Sequence, residues 1–498
     1  MRLATFILLF IPLFGISQTT KKIKVIKANS FEQDTRISDA MRLIGAVELQ
    51  HDSALMFCDS ALIYPKTNSF EAYGNVRVNQ GDTITITGDS LLYAGATKLA
   101  DLRGNVTFND GDLALVTDKL NYNLNTKVGT YTSGATITSI KNQNTLVSKI
   151  GTYNSNTKTL FFKDSVVLNN PDYTINSDTL VYNTTSEVTY FHGPTTIVSD
   201  QNSIYCEHGW YDTKNEESAF WQNAYIVTKE QTLSGDSIYY NRGFGYGEAF
   251  GDVMIDDTAS KVNIKGDYAY HDESADSSVV IGHTLFSQYF ETDSMYLHAD
   301  TIITMTDSVT EKNEFYAYHN VLLYKKDIQA KCDSLVYDEG DSIMHLFKEP
   351  VIWSENNQLT GEYIYLKTAN GNIDRLFIEN DAFIISEVDS VNFNQIKGKQ
   401  IMGWFKENEL SNVLVEGNGE TIYFIGKENE PVTDLNYSIC SDITILLKDN
   451  DIELITFLNT PNANLKDIKE VPEVDKKLKG FKWEDQWRPY SIEDLYLP

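Results

Sequence analysis

The sequence predicts an all-β protein, an elongated and twisted β-jelly roll assembled as a stacked two-sheet array of repeats with open edges. Three observations predict it. One hairpin-like unit recurs along most of the chain, each copy alternates apolar and polar residues, and each copy changes buried face at a fixed point. The clearest copies read "GNVRVNQGDTITITGDSLLY" at residues 74–93 and "GNVTFNDGDLALVTDKLNY" at residues 104–122.

Residues 1–17 are expected to be a signal peptide. Arg2 precedes an apolar run from Leu3 to Phe14, and Gly15 and Ser17 occupy the places of a secretory cleavage site. The run is too short for a membrane span, and no cysteine follows it to carry a lipid anchor. The strands lack the continuous lipid-facing band of an outer-membrane barrel.

Residues 30–395 form the main array. The unit's first residue falls at Gly45, Gly74, Gly104, Gly134, Asp164, Gly193, Gln222, Gly251, Gly282, His319, Lys348 and Asn380, mostly 29 to 32 residues apart. Two and four places later the residue is usually apolar, as at Val76/Val78, Val106/Phe108, Val166/Leu168 and Val253/Ile255. That alternation marks a half-buried strand. The unit at Gly134 fits the pattern poorly.

A second anchor is acidic: Asp59, Asp89, Asp118, Asp178, Glu207, Asp236, Asp267, Asp300, Asp333 and Glu362. A small residue precedes each acid, and a tyrosine usually stands four places after it, as at Tyr93, Tyr122 and Tyr240. In "ITITGDSLLY", Ile84 and Ile86 share one side of a flat strand while Leu91 and Tyr93 fall on the other. All four want burial, so the strand is expected to bend at Gly88–Asp89 and pass from one sheet into a second. Each acid is expected to cap its own corner by accepting backbone hydrogen bonds. Calcium between neighbouring turns is the alternative. The thirteen residues predicted to line the interior are Val76, Val78, Ile84, Ile86, Leu91, Val106, Phe108, Leu113, Leu115, Val166, Leu168, Val253 and Ile255.

Cys58, Cys206 and Cys332 occupy the small position before the acid, and Cys440 stands in a similar "CSD" context. Several repeats separate them, more than a disulfide can bridge at about 4.8 Å per strand, so buried free thiols are expected. Residues 396–462 read as a looser β-repeat or cap, which stacked repeats need. Residues 463–498 form a tail with Trp483, Trp487 and Tyr490 near its end. It is expected either to pack back on the last strands or to dock a partner.

The net charge of -29 excludes a phosphate-backbone partner, so no nucleic acid is expected. No nucleotide-binding loop, H-E-x-x-H, C-x-x-C or G-x-S-x-G occurs, and the eight histidines are scattered singly. No catalytic residue, metal or cofactor is therefore assigned.

The units at 74–93 and 104–122 resemble the OstA-like family, which includes periplasmic lipopolysaccharide transport proteins of the LptA type. The shared features are G-N-V-x-[VF], a short turn, a strand, then a small residue, Asp, an apolar residue and often Tyr. Weaker copies cover roughly residues 40 to 390. The resemblance implies a jelly roll whose apolar interior receives acyl chains of lipopolysaccharide or lipid A. It further implies a protein of the periplasm, free there or associated with the outer membrane, joined by edge strands to other jelly-roll components or end to end to itself. This chain is longer than a minimal member and lacks the barrel of the long outer-membrane members. The competing reading is a structural or adhesive extracellular protein whose repeats close on their own core; an exported carbohydrate-active enzyme comes third.

Overall fold

The computed structural model describes residues 21–33, 39–139, 144–229, 231–291, 293–310, 312–369, 372–406, 409–426, 431–448 and 451–496. The expected signal peptide lies outside them. The described residues form 36 strands and four short 3-10 turns, with every strand pairing antiparallel. The chain divides into two compact units, residues 1–200 with 210–214, and residues 201–209 with 215–498.

In the first unit, successive strands form a simple up-and-down meander. Ala54–Tyr64, Ser69–Gln80, Ile84–Ala94 and Leu99–Asn109 pair in chain order. Each ladder slips register near its middle, between Tyr73 and Val76 on one strand and between Thr87 and Ser90 on the next. The slip turns every strand into two halves. The halves carrying the repeat tyrosines form one leaf, and those carrying Val76, Val78 and their counterparts form the other. Buried residues in Ile84–Ala94 run Ile84, Ile86, then Leu91, Tyr93, so the buried face resets across Gly88–Asp89 as the sequence predicts.

The bend itself sits one strand away from the expected place. All twelve first-anchor residues have positive φ, from Gly45 at 75° to Asn380 at 56°, and ten are followed by a second positive-φ residue such as Asn75 or Asn105. The extra residue of the bulge is therefore the Gly-Asn pair, and the acid stands opposite it. Two consecutive left-handed residues favour Gly and Asn, which is why "GN" opens the clearest copies. The unit at Gly134 fits poorly because its strands break at the corner into Val128–Tyr131, Ala135–Ser139, Thr145–Ser148 and Ile150–Asn154.

The acids do not cap their own corners through backbone donors. Asp59 accepts from Asn75 Nδ2 at 2.8 Å, Asp89 from Asn105 Nδ2 at 2.8 Å, Glu207 from Asn223 Nδ2 at 2.7 Å and Asp300 from Asn320 Nδ2 at 3.0 Å. Each carboxylate thus ties its strand to the next bulge. A Cβ on Gly74 would lie 2.5 Å from Asp59 Oδ2, so the acid also fills the space the glycine leaves open.

The second unit repeats this plan from Glu217–Val227 to Asn462–Asp467. Corners continue through residues 396–462, where Gly417/Asn418 and Asn459/Thr460 are again positive-φ pairs. Cys58, Cys206, Cys332 and Cys440 are buried free thiols at corner positions. Burial pushes Cys58 up to about 11 and Cys206 and Cys332 up to about 12.

Candidate functional site

The interior between the leaves is lined by rows of residues in direct cross-strand register. On the valine leaf of the first unit one such row runs Leu49, Met56, Val78, Ile86, Phe108, Leu115, Ile137, Leu146, Leu168, Ile175 and Ile197. It passes through five of the predicted lining residues. Of all thirteen, Val76, Val78, Ile84, Ile86, Leu91, Val106, Phe108, Leu113, Leu115, Val166 and Val253 are buried, and Leu168 and Ile255 are half-buried. Leu91 lies on the tyrosine leaf and the other twelve on the valine leaf.

The leaves meet across this interior. Phe108 packs against Tyr122 and Tyr153 of the opposite leaf, with ring centroids 5.8 and 5.7 Å apart. Burying these aromatics contributes most of the local apolar stabilisation, roughly 1.5–3 kcal/mol for each large side chain.

At the mouth, where strand ends would meet solvent, the first unit is laced shut by a polar zipper. His51, Gln80 and Asp110 each stand six residues after a first anchor, at the tips of the valine leaf. Tyr93, Tyr122 and Tyr153 stand at the tips of the other. His51 Nδ1 bonds Tyr93 Oη at 2.6 Å, Tyr122 Oη donates to Gln80 Oε1 at 2.9 Å, and Tyr153 Oη donates to Asp110 Oδ2. Lys158 Nζ reaches the same Asp110 oxygen at 3.2 Å. Burial opposes ionisation of Asp110, but Tyr153, the N–H groups of Asp112 and Leu113, and Lys158 outweigh it and hold its carboxyl below the usual range. Burial, first, and then neighbouring carboxylates push the Tyr93 and Tyr153 hydroxyls well above the ordinary tyrosine value.

The row's exposure changes along the chain. Val78 and Ile86 are 0% exposed, and Leu115 is 3% exposed. Leu168 and Ile197 are half-buried. In the second unit the corresponding row begins Ile226, Leu233, Ile255, Ile264, Phe286, Leu297. Its first three members are half-buried, and burial is regained from Ile264 onward. There Phe286 and Phe315 close the interior with centroids 4.8 Å apart. Among the tips here, Tyr240 Oη donates to Glu273 at 2.6 Å, and the Ser260 N–H donates to Asp257 at 2.8 Å.

The tail packs back on the last strands, one of its two expected placements, and runs on across the outer face of the valine leaf in the second unit; what the sequence did not supply is how it is held. Ile468 N–H donates to Thr433 O at 3.0 Å, and Tyr496 packs on His298 with centroids 5.0 Å apart. Between these ends, two buried glutamines grip the tail backbone in the same way. Gln395 Nε2 donates to Lys476 O at 2.9 Å while its Oε1 accepts from Leu478 N at 2.8 Å. Gln358 Nε2 donates to Lys482 O, and its Oε1 accepts from Glu484 N, both at 2.7 Å. Each carboxamide engages a C=O and an N–H two residues apart, as a paired strand would. Gln329 Oε1 then accepts from Arg488 Nε at 2.8 Å. Val471 and Leu478 pack with Phe383, Ile385, Ile422, Phe424 and Leu435 beneath the tail. The outward register is explicit, since Gln358 pairs with Trp353 while its interior neighbour Leu359 pairs with Ile352.

Among the described residues no group of three or more His, Cys, Asp or Glu side chains is placed to hold a metal ion.

This architecture defines a class: β-repeat proteins that bend each strand into two leaves around an apolar interior. Residues 20–178 and 177–236 match the family described as OstA-like protein, and residues 263–372 match the family described as LptA/(LptD N-terminal domain) LPS transport protein. Together these two matches support an OstA/LptA-like family. Among solved structures, it is similar to LptH of Pseudomonas aeruginosa, the LptA-homologous periplasmic component of the lipopolysaccharide transport device. The identity is 14% over 29% of this chain and 80% of that one, with a TM-score of 0.15. The WD40 domain of SCAP from fission yeast aligns at 9% identity over 86% of this chain and 98% of that one, with a TM-score of 0.11. Neither superposition is close enough to carry an argument. No curated protein matches the chain.

Proposed function

We propose that this protein is an exported lipopolysaccharide-binding factor that takes acyl chains into the apolar interior between its two leaves. On this reading it works in the periplasm between the inner and outer membranes. The observation that carries the proposal is the half-buried stretch of the interior row at Ile226, Leu233 and Ile255, in a chain whose family is described by lipopolysaccharide transport. Apolar residues in register at a mouth offer a lipid the burial that water denies it, about 0.8 kcal/mol per methylene group. The net charge of -29 opposes attraction of a phosphorylated headgroup, so acyl burial supplies the affinity. Partners fit the same reading. Lys24–Lys27 and Ser30–Gln33 at one end, and Asn462–Asp467 at the other, are exposed edge strands that can pair with another jelly-roll component or a second copy.

The test is mass spectrometry of lipid extracted from the mature chain, beginning at Gln18, purified from a lipopolysaccharide-producing envelope. Lipid A recovered with the protein and displaced by added lipopolysaccharide supports the proposal. A folded protein that arrives lipid-free and fails to bind added lipopolysaccharide refutes it.

A further inference from the structure

We infer that two copies of this chain pair face to face through the outer surface of the valine leaf in the first unit, a charge-free sheet face that a second copy covers. The pairing is independent of the acyl-binding reading and uses neither the interior nor the exposed edge strands.

Three observations carry it. The first is composition. Two outward rows cross eight strands, from Ile84–Ala94 to Val188–Ser199. One runs in direct register from Thr87 through Val116, Thr136 and Val147 to Thr196, and the other, two residues away on every strand, from Thr85 to Val198. Both hold only Thr, Val, Asn and Ala, in a chain with 22% charged residues. Charge resumes at Arg77, the cross-strand partner of Thr87. The tyrosine-leaf halves of the same strands put Asp101, Arg103, Lys119 and Lys163 outward, so the absence of charge is particular to this face.

The second is exposure. Val116, Val147 and Val198 are 53%, 43% and 46% exposed, and no member of either row is buried. Thr87 Oγ1 lies 2.6 Å from Thr107 Oγ1, so these hydroxyls bond each other along the face. The third is scale. Eight strands by two rows make a patch of about 34 Å by 14 Å, about 500 Å² on each copy and about 1,000 Å² for a pair, the lower bound for a specific interface.

Electrostatics select the partner. At a net charge of -29 two copies repel each other through their charged faces. Across this face they meet without setting like charges opposite one another, and rows of β-branched residues on two twisted sheets stack about 10 Å apart. Threonine and asparagine are also well solvated, so the single chain stays soluble and the contact is reversible. The second unit already uses the corresponding outer face for packing, since the tail covers it at the fully buried Gln358 and Gln395. Any two-fold that buries the whole patch passes close to its middle, so Thr136 and Val147 of one copy lie near those of the other.

The test uses the mature full-length chain in sedimentation velocity, from about 1 to 100 µM, where an interface of this size should show a monomer–dimer equilibrium. Added salt should strengthen the dimer by screening the remaining repulsion. V116E/V147E places like charges at the centre of the pair and should weaken it by about 100-fold or more. L92E/Y190E adds the same charge to exposed positions on the tyrosine leaf and should leave it unchanged. The native cysteines are buried, so V147C should cross-link copy to copy with a short bismaleimide and L92C should not. That readout decides the question where a glutamate variant does not fold. A chain monomeric throughout the range, or cross-linking of L92C in place of V147C, would overturn the pairing. Oligomers unmoved by V116E/V147E would overturn it too, and would assign association to the edge strands.

Discussion

Replacing Gln358 with Leu should free the C-terminal part of the tail while leaving the repeats folded. The side chain is 0% exposed and makes two hydrogen bonds to the tail, to Lys482 O and from Glu484 N, each 2.7 Å long. Leucine has similar volume and removes both, leaving the Lys482 C=O and the N–H of the buried Glu484 without these partners, at about 1–3 kcal/mol for each group kept from water. Residues 482–490 are otherwise held by Trp483 on Phe393, with ring centroids 5.1 Å apart, by Lys331 Nζ over the Trp487 ring at 4.2 Å, and by Arg488 on Gln329 and Glu355. A cation–π pair at a partly exposed site contributes about 0.5–1 kcal/mol. The two unpaired groups offset much of what these contacts supply, so the segment should open more often while Trp483 remains its strongest anchor. Upstream, Leu478 is buried and held by Gln395, so release should stop there. Hydrogen exchange measured on a peptide covering residues 479–490 should accelerate about 30-fold or more, the equivalent of about 2 kcal/mol. Exchange at Leu478 should change little. Unaltered exchange over 479–490 would show that the carboxamide does not hold the tail; uniform acceleration through the strands beneath would show that tail and leaf form one unit.

Three further outcomes follow from the same geometry. A Cβ on Gly88 meets its nearest atoms at an ordinary 3.5 Å, whereas one on Gly266 collides with Val280 Cγ1; G88A should be within about 0.5 kcal/mol of the parent by denaturant midpoint and G266A destabilised by about 1–3 kcal/mol, and equal effects would refute the packing argument. Burial holds the Cys206 and Cys332 thiols near about 12, so a thiol reagent at pH 8 should leave the native chain unlabelled and modify four cysteines in denaturant; rapid native labelling would show that the corners open. The folded-state values of Tyr93, Tyr122 and Tyr153 lie above the unfolded value of about 10, with Tyr122 pushed up to about 12 chiefly by burial. The zipper's contribution is therefore complete below pH ~10 and is lost as pH rises through the folded values. A late-ionising tyrosine class in an ultraviolet absorbance titration, abolished in Y93F/Y122F/Y153F, is the expected signature, and its persistence in that variant would assign it elsewhere.

The corner was legible because its physics is local. A left-handed residue pair favours Gly and Asn, and a change of buried face in "ITITGDSLLY" demands a bend wherever the partner strand supplies it. What local reading could not supply was which strand carries the extra residue, because Gly88 and Gly74 are both small glycines and only the ladder separates them. The acids were misread for the same reason. Asp89 stands sixteen residues before Asn105, and nothing within its own segment reveals that the amide and not the backbone is its donor. Tyr93 and Tyr122, four places after acids, were noticed but given no partner, and Tyr153, which follows Lys149, was not singled out. Their partners sit six residues after an earlier anchor, and a polar residue there is as ordinary in sequence as a turn residue. Spacing 51–93, 80–122 and 110–153 was the available signal, and it emerges only when both anchors are tracked together.

The glutamines show why function in a repeat protein concentrates in departures from the repeat. The outward positions beside the interior row are filled in the first unit by residues such as Arg77, Thr85, Thr87 and Thr107, which need nothing beyond solvent. In the second unit the same register positions hold Trp353, Gln358, Ile385, Gln395 and Ile422, a set that solvent serves poorly. A periodic scan reads Gln358 and Gln395 as routine polar outward residues. Their exposure near zero, however, follows only from a cover, and the sole unrepeated segment of the described chain is that cover. The zipper follows the same logic inside the mouth, where His, Gln and Asp replace one another at one position while the tyrosine stays. Closure tolerates any group that can bond a phenol. In the first unit a polar seal closes the mouth of three successive repeats, and in the second the tail covers the outer face of the last strands, so in each unit a few polar side chains at otherwise repetitive positions decide which apolar surface meets water.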